Sequence, residues 1–275
     1  MKAAMHGVKK FALITGASSG IGLAFSRELG RLGYPLLMVS NEEEKLNAAA
    51  LEIQSEYKVK AMPLCMDLAQ NDSAQKLFDY CEGNNIQIEI LINNAGIFFF
   101  RDVMNTTLDL VEKTINLHVY TPTMLSALFA KQMIRQNREP FRQSYILNIA
   151  SIAARMMMPG IALYSATKSY LHCFSRAMRH EAFERGISIT TVCPGAIATG
   201  LYGLAPRYMK LGLRLGVILT PERLASKAIK KMFQRKAEYV PGGFINRLFV
   251  FIINVLPEPL VRSIKRKIDK LSSRS

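Results

Sequence analysis

Only four cysteines occur in 275 residues. Cys65, Cys81, Cys173 and Cys193 make no C-x-x-C pair, so they read as reduced thiols of a cytosolic protein and not as a disulfide framework. Histidine is as scarce, with four in the chain. His6, His118, His172 and His180 show no metal-ligand spacing, so each is expected to be structural or solvated and no metal is expected. The first ten residues are too short and polar for a secretory signal, and no apolar run reaches the roughly 20 residues needed to span a bilayer. The chain also lacks a Pro/Gly/Ser-rich linker, an internal repeat or a low-complexity tract, any of which would divide it into domains. Acidic residues are outnumbered, 21 against 36 Lys and Arg, for a formal charge of +15.

What is present is a large apolar fraction, 49% of residues, enough to bury one sizeable core. Strand-like runs at 10 to 14, 35 to 39, 60 to 65, 88 to 92, 144 to 149 and 187 to 192 alternate with segments of helical periodicity. That alternation predicts a single α/β domain over 1–275, a doubly wound parallel sheet of the Rossmann type. A helix is expected from about Ala162 to Glu184, stopped by Gly186.

Ligands of open parallel sheets bind at the carboxyl edge of the strands, and four segments place polar chemistry there. Thr15-Gly-Ala-Ser-Ser-Gly-Ile-Gly22 joins the first strand to a helix opening at about Gly20. Its glycines allow close backbone approach to a pyrophosphate, and the helix points unpaired N–H groups at the anion. Ile90-Leu-Ile-Asn-Asn-Ala-Gly96 ends another strand in small polar residues, and Tyr145-Ile-Leu-Asn-Ile-Ala-Ser151 delivers a hydroxyl at its end. Tyr164-Ser-Ala-Thr-Lys168 sets a phenol and an ammonium one helical turn apart, where the cation favours the phenolate. A Tyr/Lys pair at this spacing is common on ordinary helices, and a glycine turn alone is only a tight βα connection. The four segments together point to a nucleotide-dependent acid/base site.

In this order and spacing, from about Lys9 to Thr199, the chain resembles the short-chain dehydrogenase/reductase family. The resemblance implies an NAD(P)-dependent oxidoreductase that interconverts a ketone and a secondary alcohol, with 9–199 as cofactor-binding and catalytic core and 200–275 as a C-terminal helical substrate lid and a basic, apolar extension. It further implies that Tyr164 exchanges the proton, Lys168 lowers the tyrosine pKa and bonds the nicotinamide ribose, Ser151 orients the substrate oxygen, and Asn116 holds a water in a proton relay. Gly16, Ser18, Ser19, Gly20 and Ile21 would surround the pyrophosphate and adenosine ribose. Asp67 would meet the adenine amino group, and Asn94, Ala95 and Gly96 would line the ribose wall. Pro194, Gly195, Ile197 and Thr199 would hold the carboxamide. A homo-oligomer, dimer or tetramer, is also implied.

The chain departs from the family pattern at Val39-Ser-Asn-Glu-Glu-Glu-Lys45, where the ribose 2′ position is read. Asn41 stands where an aspartate would select NAD(H) or an arginine NADP(H), so the choice between the two cofactors stays open. Residues 206–275 carry 16 Lys and Arg against 4 Asp and Glu, a local excess of +12. An apolar stretch at 244–256 and a basic one at 262–268 either close a substrate pocket, enter a subunit interface or lie on the inner face of a membrane. No base-reading motif accompanies the charge, so nucleic acid is not an expected partner. The leucines, methionine and tyrosines of 200–220, together with Met156, Met157 and Met158, suggest a lipophilic small-molecule substrate. Family members that reduce long-chain 3-oxoacyl thioesters or 3-ketosphinganine are similar, and a steroid or bile-acid couple fits the same description. A non-catalytic nucleotide sensor or membrane-surface scaffold is the alternative from a different class.

Overall fold

The computed structural model describes residues 10–137, 143–156, 158–195, 197, 218–242, 251, 257–259 and 261. Strands β1 (Phe11–Thr15), β2 (Leu36–Ser40), β3 (Ala61–Cys65), β4 (Ile88–Asn93), β5 (Ser144–Ile149), β6 (Ile187–Val192) and β7 (Glu238–Tyr239) form one sheet in the order β3-β2-β1-β4-β5-β6-β7. Every pairing is parallel. Six strands lie within one residue of their predicted positions. The seventh is two residues long and carries no sequence signal of its own; its pairing with Thr191 and Val192 of β6 creates it.

Successive side chains of a strand point to opposite faces, and β1 shows the consequence. Ala12 and Ile14 join a core with α1 (Gly20–Arg31) and α2 (Glu43–Tyr57), whereas Leu13 joins the core of the other face with α3 (Ser73–Gly83) and α5 (Thr121–Gln136). Both faces are covered, so the central strands are buried along nearly their whole length and their burial does not alternate. Helix α4 (Leu108–Ile115) runs into α5 through a π-helical turn at Asn116–Tyr120. Helix α6 (Ala162–Ala182) continues into a 3-10 turn that ends at Gly186, whose φ of 77° is the left-handed conformation expected there.

Helix α7 (Pro221–Phe233) falls inside the stretch 200–275 assigned to lid and extension, yet its Leu224, Ala225, Ala228, Ile229 and Met232 are buried in the first core against α1. Phe233 stacks on Tyr34 at 6.2 Å. The packed core therefore includes residues after 217, and α7 is part of the sheet's covering layer. Its start is set locally: Pro221 occupies the first turn and the Thr220 hydroxyl accepts from the Arg223 N–H at 3.3 Å. The proposed lid at 200–217, the apolar and basic stretches at 244–250, 252–256 and 262–268, Met157 and Thr199 lie outside the described residues.

Candidate active site

The strand order reverses between β1 and β4, which opens a crevice at their carboxyl ends. Side chains of the two strand ends stitch it. The Thr15 hydroxyl accepts from the N–H groups of Asn94 (2.9 Å) and Ala95 (3.0 Å), while the Asn94 amide donates to the Thr15 carbonyl at 2.9 Å. Gly16 has φ +66°, and a Cβ on Gly22 would lie 1.9 Å from the Gly16 carbonyl oxygen. The loop thus closes tightly on the first turn of α1, as a phosphate cradle requires.

The crevice continues into a cleft of about 840 Å³ lined by Gly16, Ser18, Ser19, Gly20, Ile21, Asn41, Asp67, Asn94, Ala95 and Gly96. A dinucleotide fits that volume and that donor set. Ser40, Glu42 and Lys45, from the segment read at the ribose 2′ position, also line it, as do Met66, Leu68, Ile97, Lys113 and Leu117, which were not assigned a role from the sequence. At its outer end Glu42 accepts from the Ser18 hydroxyl at 2.7 Å and pairs with Lys45; Ser40 donates to Ser18 at 2.9 Å. Lys45 and Ser18 hold the Glu42 carboxyl below the usual range. Asp67 accepts from the Ala69 N–H at 3.0 Å, which orients its carboxylate.

On the other side of the crevice, α6 carries Tyr164 and Lys168. Lys168 is 5% exposed, donates to the Ile149 carbonyl at 2.9 Å, and sits 5.9 Å from the centre of the Tyr164 ring. No carboxylate pairs with it among the described residues, and burial pushes its pKa down to about 8. Ser151 ends the β5 segment with its hydroxyl accepting from the Ala153 N–H at 3.1 Å. Pro194 accepts from the Ile152 N–H at 3.0 Å, and Ile197 bridges to Leu219, so the turn after β6 lies beside the Ser151 loop. Asn116 opens the π-helical turn, and its side chain donates to the Ala69 carbonyl at 3.0 Å.

Tyr164 has an apolar wall that the sequence reading only partly anticipated. Ala153, Met156 and Ile161 cluster with it, joined by Phe98, Ile152 and Met158. Phe98 meets the Tyr164 ring edge to face at 4.9 Å. The run Ile97-Phe98-Phe99-Phe100 directly after Gly96 was the available signal.

His172, Cys193 and Glu238 come together in space although their sequence spacing gives no hint of it. Glu238 lies 2.8 Å from His172 Nε2 and pairs with the Arg155 guanidinium, which also reaches that nitrogen at 3.0 Å. His172, with the Arg155 charge, holds its carboxyl down at about 2. The group ties the loop after Ser151 to β7 and α6.

A family model described as short chain dehydrogenase matches residues 10–209. The very-long-chain 3-oxoacyl-CoA reductase-B of Danio rerio is 30% identical over 197 residues, covering 70% of this chain and 61% of that protein's length. The very-long-chain 3-oxoacyl-CoA reductase of Homo sapiens is 26% identical over 270 residues, covering 96% of this chain and 81% of that protein. Among solved structures, a short-chain dehydrogenase from Sphingobium yanoikuyae in complex with NADPH superposes with a TM-score of 0.75 at 24% identity, over 96% of this chain and 95% of its own.

Proposed function

We propose, given that this chain belongs to the short-chain dehydrogenase/reductase family of NAD(P)-dependent oxidoreductases, that it reduces the ketone of a lipophilic, long-chain substrate. The observation that carries the reading is Lys168: a buried ammonium with no carboxylate partner among the described residues, beside a tyrosine at the carboxyl edge of the sheet. An uncompensated buried cation is costly and is kept where its field is used.

The bound nicotinamide supplies hydride to the carbonyl carbon or takes it back. The chain's own residues manage the oxygen. Ser151 bonds and orients it, and Tyr164 gives its phenolic proton as the oxygen gains charge, or abstracts it from an alcohol in reverse. Lys168 lowers the energy of the phenolate by its charge. Asn116, at the π-helical turn, would hold a water in a proton relay to Lys168. The cradle of Gly16, Ser18, Ser19, Gly20 and Ile21 takes the pyrophosphate, Asn94, Ala95 and Gly96 the adenosine ribose wall, and Asp67 the adenine. Pro194, Gly195, Ile197 and Thr199 hold the carboxamide.

Three observations support an apolar substrate: the Phe98, Met156, Ile161 cluster against Tyr164, the composition of 200–220, and the 3-oxoacyl-CoA reductase relatives. No described helix is long and apolar enough to cross a membrane; the stretches 244–256 and 262–268 would hold the protein peripherally on an anionic surface. The test is NADH and NADPH oxidation by the purified protein with a long-chain 3-oxoacyl thioester, beside a compact cyclic ketone and a Tyr164→Phe control. A Tyr164-dependent rate confined to the lipid is expected. Turnover of the cyclic ketone alone would move the reading to steroid-like substrates, and turnover of neither would favour a nucleotide sensor.

A further inference from the structure

We propose that His118 is a positioning residue that couples the cofactor-facing loop after β4 to helix α6, and that it does so as the neutral tautomer with its proton on Nδ1. The proposal rests on the assignment of Tyr164 and Lys168 above.

His118 lies in the π-helical turn and is 1% exposed. Its two nitrogens face two different elements. Nε2 is 3.0 Å from the Ile97 backbone nitrogen, whose N–H has only a donor to offer. Nε2 must therefore be the bare, accepting nitrogen. The ring's single proton is then on Nδ1, 3.0 Å from the Thr167 hydroxyl, and that hydroxyl donates in turn to the Tyr164 carbonyl at 2.9 Å. Every donor from the Ile97 N–H to the Thr167 hydroxyl meets an acceptor, and no other tautomer satisfies this. One imidazole thus connects the backbone beside Gly96, part of the cleft wall, to the backbone of Tyr164 itself.

The ring is also in steric register with the site. A Cβ on Gly96 would lie 3.0 Å from His118 Nε2 and 3.6 Å from Lys168 Nζ, and the His118 and Tyr164 rings meet edge to face at 5.7 Å. The titratable groups facing the imidazole are Lys168 and Tyr164, both on α6. Burial, and then the Lys168 charge, hold its pKa well below the ordinary histidine range, so the ring adds no second cation beside the ammonium. The π-helical turn places it here: the extra residue in the turn rotates the side chains after Asn116, and the sequence shows no sign of such a turn.

The full-length protein tests this with His118→Leu and His118→Gln, beside wild type and Tyr164→Phe. Each is titrated with NADH and NADPH by fluorescence and assayed for kcat and KM. His118→Leu strands the Ile97 N–H, so nucleotide Kd should rise about tenfold. His118→Gln returns an amide oxygen to that N–H and should recover nucleotide binding to within about threefold of wild type while kcat stays reduced, because the link to Thr167 is not restored. Near-wild-type Kd and kcat in His118→Leu, or no recovery in His118→Gln, overturns the proposal. If His118→Leu does not fold, His118→Gln and the 15N spectrum of the wild-type ring decide. A proton on Nε2, or a ring that titrates at roughly pH 6 to 8, overturns it. Tyr164→Phe separates the two readings: full turnover in that variant removes the catalytic assignment, whereas nucleotide Kd still judges His118.

Discussion

The Lys168 ammonium lies 5.9 Å from the centre of the Tyr164 ring and bonds the Ile149 carbonyl rather than a carboxylate. A structural lysine would be paired or solvated; this one keeps its positive charge available to the phenol.

Replacing Tyr164 by Phe removes the proposed proton donor and leaves the ring packing against Phe98. The kcat should fall about 10²- to 10⁴-fold, with nucleotide Kd little changed. Steady-state kinetics and a fluorescence titration on the same preparation check both halves.

Burial of Lys168 opposes its charge, which gives a stability prediction opposite in sign to the activity prediction. Its folded pKa of about 8 lies below the unfolded value of 10.5. The unfolded state therefore binds more protons between these values, and this group's contribution to stability rises as pH rises through that window. At neutral pH the ammonium is charged in both states and its desolvation costs most, about 3 kcal/mol. Lys168→Met should therefore raise Tm at pH 7 by several degrees while abolishing turnover. A lower Tm would mean that the lysine stabilises the fold.

Cofactor preference should respond to the Glu42 cluster. A carboxylate bonded to Ser18 and paired with Lys45 opposes a 2′-phosphate and engages a cation of the same cleft. Glu42→Gln frees Lys45, and the NADPH over NADH ratio of kcat/KM should rise about tenfold. Asn41→Arg, which adds a phosphate partner, should move it further in the same direction. Ratios unchanged in both variants would locate the discrimination elsewhere.

Glu238 makes a prediction in acid. Its folded pKa of about 2 lies below the ordinary 4.5, so its stabilisation is complete above pH 4.5 and lost as pH falls toward 2. Glu238→Ala should cost about 1–3 kcal/mol at pH 7 and should flatten the acid limb of a stability curve measured by urea unfolding. An acid limb identical to wild type would exclude Glu238 as its source.

Most of the sheet was legible because parallel strands buried on both faces are rich in apolar and β-branched residues, and the segments at 144–149 and 187–192 coincide with β5 and β6. The glycine loop and the Asn94-Ala95-Gly96 turn were legible because their backbone geometry admits few residue types. β7 was not, since two residues carry no periodicity and only the free edge of β6 makes them a strand. Nor was the core role of α7, because an amphipathic helix reads the same whether it covers a sheet or a substrate.

The sequence by itself determined the strand–helix alternation, the nucleotide loop and the Tyr164/Lys168 helix, since each is local: a period, a turn or a one-turn spacing. Only the tertiary structure decided that Glu42 meets Ser18, that Phe98 faces Tyr164, that His172, Cys193 and Glu238 converge, and which nitrogen of His118 accepts. Those facts depend on which residues distant in the chain share a strand edge or a helix crossing, and burial there fixes both partner and protonation state.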